Sequence, residues 1–537
     1  MELGTGRLVK GTLQVSASRA VEGVVALAFS IVVARTLGDD YGYVGAAMGV
    51  WGIINIVSTI GVPIANTKYV ADLSARRGNE AARASVARTM LLEGVLTGIA
   101  AVLLFLLAAP LADSVFHKPG LAGPLRVVSP MLLVAGLGGV WLSTFQGLHR
   151  YGSFSLIVAL NPVVRLGGAV AFLALGYGVA GALLGYLAGH VAALLAGTAM
   201  GAYLLGRDLP TCEPGEGVAV DAEVVCAPPG YGELLSFGAA VTIGNVAVVV
   251  FEWADKIILA AWRPIGDVAL YTIAFGMVAI PLVLPRSVNT AFYPLVSSLH
   301  GRGDSAGLRR ATEHVMRLTL MVMGFVTFTM MAVVPWLVGL LYGEHFEGSE
   351  APFLVLALWG FVRPVGLLAL SIPQGMGRPM VGSRALLAMM ALNIALNLAL
   401  IGPFGIMGAA VATTSSYIVG FAYLTHVAFD MAGARFPWDG AIRSLGSALG
   451  AALCVLGLRL ALPSVTLLSP ATVLLPALLV AALLGLGVYM LLLGLSRAVL
   501  EEDVAFVRGL GFFGSRTLAR IVAFLCRMRP KKDAGRT

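Results

Sequence analysis

The feature that most constrains this chain is a near-unbroken series of apolar segments, each long enough to cross a bilayer. A membrane-spanning helix needs about 20 consecutive, mostly apolar residues. Fourteen such segments can be placed, at 13–36, 43–65, 89–111, 125–147, 153–176, 179–204, 233–261, 268–294, 314–342, 351–373, 380–402, 405–429, 439–462 and 470–495. Strands of a membrane barrel alternate apolar and polar residues, and these stretches have no two-residue period. The expected fold class is therefore all-α and polytopic. Composition agrees: 58% of the 537 residues are hydrophobic and 12% charged, against about 25% charged in soluble domains. The mean hydropathy of +0.90 leaves too little polar side chain to cover a water-exposed surface. A cytoplasmic enzyme, a secreted protein and a disordered scaffold are excluded.

Loop charges set the orientation. The loop 66–88 carries Lys68, Arg76, Arg77, Arg83 and Arg88, and 296–317 carries Arg302, Arg309, Arg310 and Arg317. The tail beyond Ser496 holds nine further Lys and Arg residues, from Arg497 to Arg536. Alternate loops are nearly free of such charge; 343–350 has Glu344, Glu347 and Glu350 and neither Lys nor Arg. The positive-inside rule then predicts both termini in the cytoplasm of a cell-membrane protein. The net charge of +8 is the excess this rule produces, not a nucleic-acid signature. Apolar residues among the tail's charges predict an interfacial amphipathic helix over 501–527. No short apolar run with a small-residue cleavage site precedes the first span, so no cleavable signal peptide is expected. Four cysteines offer neither a disulfide framework nor metal spacing.

The chain repeats itself. Arg35-Thr-Leu-Gly38-Asp39-Asp-Tyr-Gly-Tyr43 returns as Arg263-Pro-Ile-Gly266-Asp267-Val-Ala-Leu-Tyr271, 228 residues later. Gln146-Gly147-Leu-His-Arg150 returns as Gln374-Gly375-Met-Gly-Arg378 at the same offset of 228. A third pair, Gly178-Val-Ala-Gly181-Ala182 and Gly405-Ile-Met-Gly408-Ala409, is one residue out of step. Two independent matches at one offset indicate duplication. Six spans separate the copies, so both enter the membrane in the same direction, as in parallel-repeat transporters. The expected organisation is a six-helix bundle over 1–204, an acidic cytoplasmic linker over 205–232 and a second six-helix bundle over 233–430. Two additional helices over 431–497 and a basic tail over 498–537 complete it.

The residues also resemble a known family. Ala34-Arg35-Thr-Leu-Gly38 through Tyr43, then Gly61-Val-Pro63 and a basic loop, look like the opening of polysaccharide-biosynthesis (O-antigen-type) flippases. So do Phe145-Gln146-Gly147-Leu-His-Arg150 and Trp253-Ala-Asp255-Lys256-Ile-Ile. These flippases belong to the multidrug/oligosaccharidyl-lipid/polysaccharide (MOP) exporter superfamily, and the resemblance covers roughly residues 5–495. It implies a transporter, not an enzyme, that moves a lipid-linked oligosaccharide from the inner to the outer leaflet. The implied carrier is a polyprenyl or dolichyl phosphate or pyrophosphate. An alternating-access cleft, often cationic, and a monomer are implied as well.

Ionisable groups inside spans are costly and mark functional candidates. Arg165 follows the Asn161-Pro162 pair in the fifth span, Arg363 precedes Pro364 in the tenth, and Arg286 follows Pro281 and Pro285 in the eighth. With Arg19 and Lys256 they form the candidate substrate-binding set, because a guanidinium binds phosphate oxygens bidentately and stays charged. Arg165 and Arg363 lead, since neither has an acid within one turn of its own helix. Arg19 and Glu22, three apart, and Glu252 and Lys256, four apart, are placed to neutralise each other instead. Arg35 and Arg263 sit at span ends, where snorkelling is favoured over ligand binding. Glu22, Glu252, Asp255 and His190 are the candidates for coupling to H⁺ or Na⁺; for His190 a structural hydrogen bond is the competing role. Under the repeat Arg165 meets Asn393 and Arg363 meets Ala135, so neither charge is a repeated scaffold residue.

No nucleotide-binding loop, cofactor motif or metal ligand set is present in the sequence. Two other functions compete. A multidrug or cation exporter would favour acids over Arg at mid-span. A membrane-embedded sugar-transfer enzyme would carry catalytic acids on long outer loops.

Overall fold

The computed structural model describes residues 2–75, 79–207, 228–279, 281, 283–461, 471–496, 498–499, 520 and 523. Among these the regular structure is helical and there is no strand. The linker segment 208–227 and nearly all of the predicted amphipathic tail lie outside the described residues. In chain order the helices are α1 (Glu2–Leu37), α2 (Tyr41–Thr59), α3 (Val62–Ala75), α4 (Asn79–Pro110), α5 (Ala122–Gly147), α6 (Tyr151–Ala174), α7 (Gly178–Arg207), α8 (Tyr231–Trp262) and α9 (Ile265–Ala279). They continue with α10 (Val283–Gly301), α11 (Ser305–Tyr342), α12 (Glu350–Gly375), α13 (Pro379–Met431), α14 (Trp438–Ala461) and α15 (Ala471–Ser496).

Nine helical stretches of the described residues are long and apolar enough to cross a membrane. Two of these are double: one joins α1 and α2, the other is α13. Within α13, Gly405 has φ 57 and ψ −133 and breaks the helix between the predicted eleventh and twelfth spans. With α8, α9–α10 and α15 the arrangement is consistent with fourteen crossings. The second and eighth spans are each interrupted. Ile60 and Gly61 take left-handed conformations between α2 and α3. The break between α9 and α10 falls at Pro281, whose ring nitrogen can donate no hydrogen bond.

The duplication is carried into local geometry. The helices α5 and α12 have the same length, and both their ends are 228 residues apart. Each ends in the same motif. His149 (φ 55) and Gly377 (φ 75) are left-handed. Arg150 N donates to Phe145 O and Arg378 N to Pro373 O, both at 2.8 Å. This is the two-bond termination that satisfies the last carbonyls of a helix. Ser143 and Ser371 are equivalent, and each pins its helix to an asparagine. Asn66 Nδ2 donates to Ser143 Oγ at 2.8 Å, and Ser371 Oγ donates to Asn289 Oδ1 at 2.5 Å.

The chain divides into two compact units, residues 1–276 with 390–409, and 277–389 with 410–537. In the first unit α6 and α7 pair closely, and α4 and α7 both pack on α5. The helix α2 meets α8 and α9 through a row of glycines. A side chain at Gly42 would strike Ile265, one at Gly45 Thr272, one at Gly49 Ile257, and one at Gly52 the Trp253 ring. Small residues at such spacing let helix backbones approach closely in lipid. In the second unit α14 and α15 dock on α11, where Tyr489 donates to Met321 O at 2.7 Å and stacks on Phe325.

Candidate functional site

In the first unit, α1, α2, α6 and α7 bring one cation, one imidazole and three aromatic rings together. Arg165 projects from α6, which runs through Pro162 as one helix. Gly189 on α7 lies against Asn161 O and Arg165 Cβ, so the absence of a side chain there lets α7 close on α6. The Arg165 guanidinium lies 5.0 Å from the Phe29 ring centre and 4.8 Å from that of Tyr186. The two rings meet edge to face at 4.8 Å. Such contacts hold a cation by its attraction to the ring faces, at about 0.5–2 kcal/mol each. No carboxylate of the described residues pairs with Arg165, and its Nε is buried without a hydrogen-bond partner among them. Beside it, His190 Nδ1 is 3.4 Å from Asn161 Nδ2, and its ring is 5.6 Å from Trp51.

A second cation in this unit, Lys256 on α8, is buried. Its ammonium donates to the backbone carbonyl of Glu252 at 3.1 Å and sits over Trp253 at 4.4 Å and Phe275 at 4.0 Å. The four-residue spacing thus yields a backbone bond rather than a carboxylate bridge. Asp255, fully buried, accepts from the Tyr271 hydroxyl and from the Lys256 backbone N–H. Glu22 pairs with Arg19 at 2.7 Å on an exposed face, as their spacing allows. Arg263 pairs with Asp267 at 3.0 Å.

In the second unit Arg363 is 8% exposed. Its guanidinium is 5.2 Å from the ring of Trp359, one turn earlier on α12. Trp359 meets Tyr417 of α13 edge to face, and Tyr417 meets Phe421 likewise. No ion pair reaches Arg363 among the described residues. Arg286 lies on α10, and its side chain is outside those described. No group of three or more His, Cys, Asp or Glu side chains able to hold a metal occurs among the described residues.

One buried acid was not singled out by the sequence reading. Glu93, on α4, is fully buried, and neither carboxyl oxygen has a hydrogen-bond partner among the described residues. The signal for it was present: a lone acid inside an apolar run, with hydroxyl residues four positions to either side.

Chemically, the Arg165 and Arg363 sites share one property. Their guanidinium groups lie over aromatic rings and pair with no carboxylate of the described residues, which leaves N–H donors suited to an anionic group.

The family model described as polysaccharide biosynthesis protein matches residues 8–300, and the MatE model matches 240–399. Stage V sporulation protein B of Bacillus subtilis is 23% identical over 76% of this chain and 81% of that protein. A probable low-salt glycan biosynthesis flippase of Haloferax volcanii, Agl15, is 21% identical over 38% of this chain and 44% of that protein. Among solved structures, the lipid II flippase MurJ in an inward closed conformation superposes with a TM-score of 0.67 at 13% identity. It covers 93% of this chain and 99% of that one.

Proposed function

Because the chain belongs to the polysaccharide biosynthesis protein family, within the MOP superfamily of membrane transporters, we propose that it flips a lipid-linked oligosaccharide from the inner to the outer leaflet of the cell membrane. Membership makes it a multi-pass transporter and not an enzyme. The proposed carrier is a polyprenyl or dolichyl phosphate or pyrophosphate. The loop charges support a cytoplasmic side for both termini.

The observation that carries this reading is the pair of ring-held guanidinium groups of Arg165 and Arg363, to which the described residues offer no paired carboxylate. A sugar–phosphate head cannot enter hydrocarbon unaided. A guanidinium within a span offers it a charged, bidentate partner part-way across. Arg165 and Arg363 lead this role; Arg286, Lys256 and Arg19 are secondary. Names of the relatives support it: one is called a glycan biosynthesis flippase and another a lipid II flippase. Coupling to H⁺ or Na⁺ is assigned to Asp255, Glu252, Glu22 or His190.

The test is reconstitution of the full chain in liposomes loaded with a fluorescent polyprenyl-pyrophosphate saccharide, with outer-leaflet exposure read by quenching. Protein-dependent flipping that requires the phosphate is the expected result. Export of organic cations without glycolipid movement would overturn the reading.

A further inference from the structure

The helix α4 carries four polar residues at four-residue steps, Ser85, Thr89, Glu93 and Thr97, and all four are fully buried. Residues four apart lie one above another on one helix face. They therefore form a continuous polar stripe, about 18 Å long at the rise of an α-helix, inside a segment otherwise apolar enough to span a membrane. The stripe begins at the end of α4 that carries Arg83 and Arg88, and Glu93 stands about 12 Å along it.

The partner surface is shaped to receive the acid. At Gly136 on α5 a side chain would meet Glu93 Oε1 at 3.0 Å and Thr97 Cγ2 at 2.7 Å. The carboxyl thus occupies space left by a missing Cβ. Thr89 Oγ1 donates to Ser85 O at 2.8 Å, and Thr97 Oγ1 to Glu93 O at 2.5 Å. Those hydroxyl hydrogens are spent on the backbone and their lone pairs remain. Ser85 Oγ on α4 and Asn66 Oδ1 on α3 are also buried without partners among the described residues.

Among the described residues no ion pair reaches Glu93. The only charged residue of α5 is Arg126, which lies over Phe105. On α3, Lys68 stacks on Tyr69 and Phe237, and Asp72 is farther along the same helix. The helix α2 has no charged residue; its titratable groups are Tyr41, bonded to Ser30, and Tyr43, against Gly120. On α8, Glu233 caps its own helix, Asp255 takes Tyr271, and Lys256 takes Glu252 O. In the turn after α4, Lys118 donates to Ala260 O at 2.6 Å, and Asp113 and His117 lie at the far end of the helix. On α4 itself, Arg88 donates to Pro228 O and Pro229 O; Glu80 and Arg83 are at its start. An ionised carboxylate so enclosed would be an uncompensated buried charge, which proteins avoid by keeping the group neutral.

We propose that Glu93 is a proton-binding site, held as the neutral acid in this conformation and approached along the buried polar face of α4 from its Arg88 end. When α4 and α5 part at Gly136 and water enters, the Glu93 O–H bond breaks and the proton passes to water. The carboxylate is reprotonated before the helices close again. That this exchange drives flipping rests on the functional reading above; the proton site itself does not.

The test needs no glycolipid, so its failure is separable from failure of the flippase reading. The full chain in liposomes is treated with N,N′-dicyclohexylcarbodiimide, which attacks protonated carboxyl groups in apolar surroundings, and modified peptides are located by mass spectrometry. Glu93 is expected to be labelled, at an initial rate that falls roughly tenfold per pH unit above its midpoint. Ser85→Ala and Thr89→Val are expected to slow labelling severalfold without changing the final extent. Resistance at every pH, labelling indifferent to pH, or protection by Na⁺ without a pH response would each overturn the proton site. Unchanged rates in both hydroxyl variants would remove the proposed path.

Discussion

Arg165 and Arg363 occupy positions that the internal repeat does not relate, yet each lies over aromatic side chains, two rings for Arg165 and one for Arg363, and pairs with no carboxylate of the described residues. They differ in how they are held. Arg165 is half-buried between rings from two other helices and has an imidazole beside it. Arg363 is buried against a ring of its own helix. The residue that the repeat aligns with Arg165, Asn393, is buried and accepts from Asn397 Nδ2 at 3.0 Å. The residue aligned with Arg363 is Ala135. The repeat thus relates the length and terminal turn of α5 and α12 but not the two charges. Arg165 is the better presented to a ligand; Arg363 is the more deeply embedded in its unit.

This contrast orders the variants. Arg165→Ala is expected to have the largest effect, a 10–100-fold loss of flipping, corresponding to about 1.5–3 kcal/mol for a charged hydrogen bond to substrate. Protein yield should be unchanged, because no ion pair is broken. Arg165→Lys should recover only part of the rate, since an ammonium keeps the charge but not the planar fork. Full activity in Arg165→Ala would break the comparison at its stronger end.

Arg363→Ala comes next, with a loss of about tenfold and a measurable fall in thermal stability. The arginine stem is packed, so truncation removes contacts as well as charge. If Arg363→Ala reduced transport without touching stability, the two sites would be alike and the contrast in embedding would carry no functional meaning.

Much of this architecture was legible in the chain. The offset of 228 read from two short motifs is the offset at which α5 and α12 coincide at both ends and repeat the same left-handed turn. Turn chemistry is local, so sequence reports it faithfully. The Trp359–Arg363 contact is also local, four residues apart on one helix. The Phe29 and Tyr186 rings around Arg165 were not legible, because they come from α1 and α7, and only tertiary packing selects them. Glu93 was missed for a related reason. Its four-residue stripe is visible, but a polar stripe has meaning only once Gly136 on another helix is known to face it. Neither interruption was read from the chain: 268–294 reads as one apolar run although it contains Pro281, and the break at Ile60–Gly61 depends on backbone conformation that an isoleucine does not announce.

Replacing the rings should sharpen the comparison further. Phe29→Leu keeps an apolar side chain but removes one ring face from Arg165, at about 0.5–2 kcal/mol. A two- to tenfold loss of flipping is expected, and Tyr186→Leu should act similarly. The double variant should lose less than the product of the single effects, because both rings hold one guanidinium and contacting residues couple. Strict multiplicativity in a double-mutant cycle would mean that the rings act independently of Arg165.

The smallest effect is expected at Arg19. Its partner Glu22 lies one turn away at 2.7 Å, and both side chains are more than 40% exposed. Exposed pairs of this kind contribute about 0–1 kcal/mol and are screened by salt. Arg19→Ala should therefore change flipping less than about twofold, with any residual effect vanishing as ionic strength rises. Arg19 is thus the control for Arg165: a charge on the same unit with a carboxylate partner, where the described residues give Arg165 none. A loss at Arg19 as large as at Arg165 would show that net positive charge, rather than an uncommitted guanidinium on aromatic faces, governs passage of the headgroup.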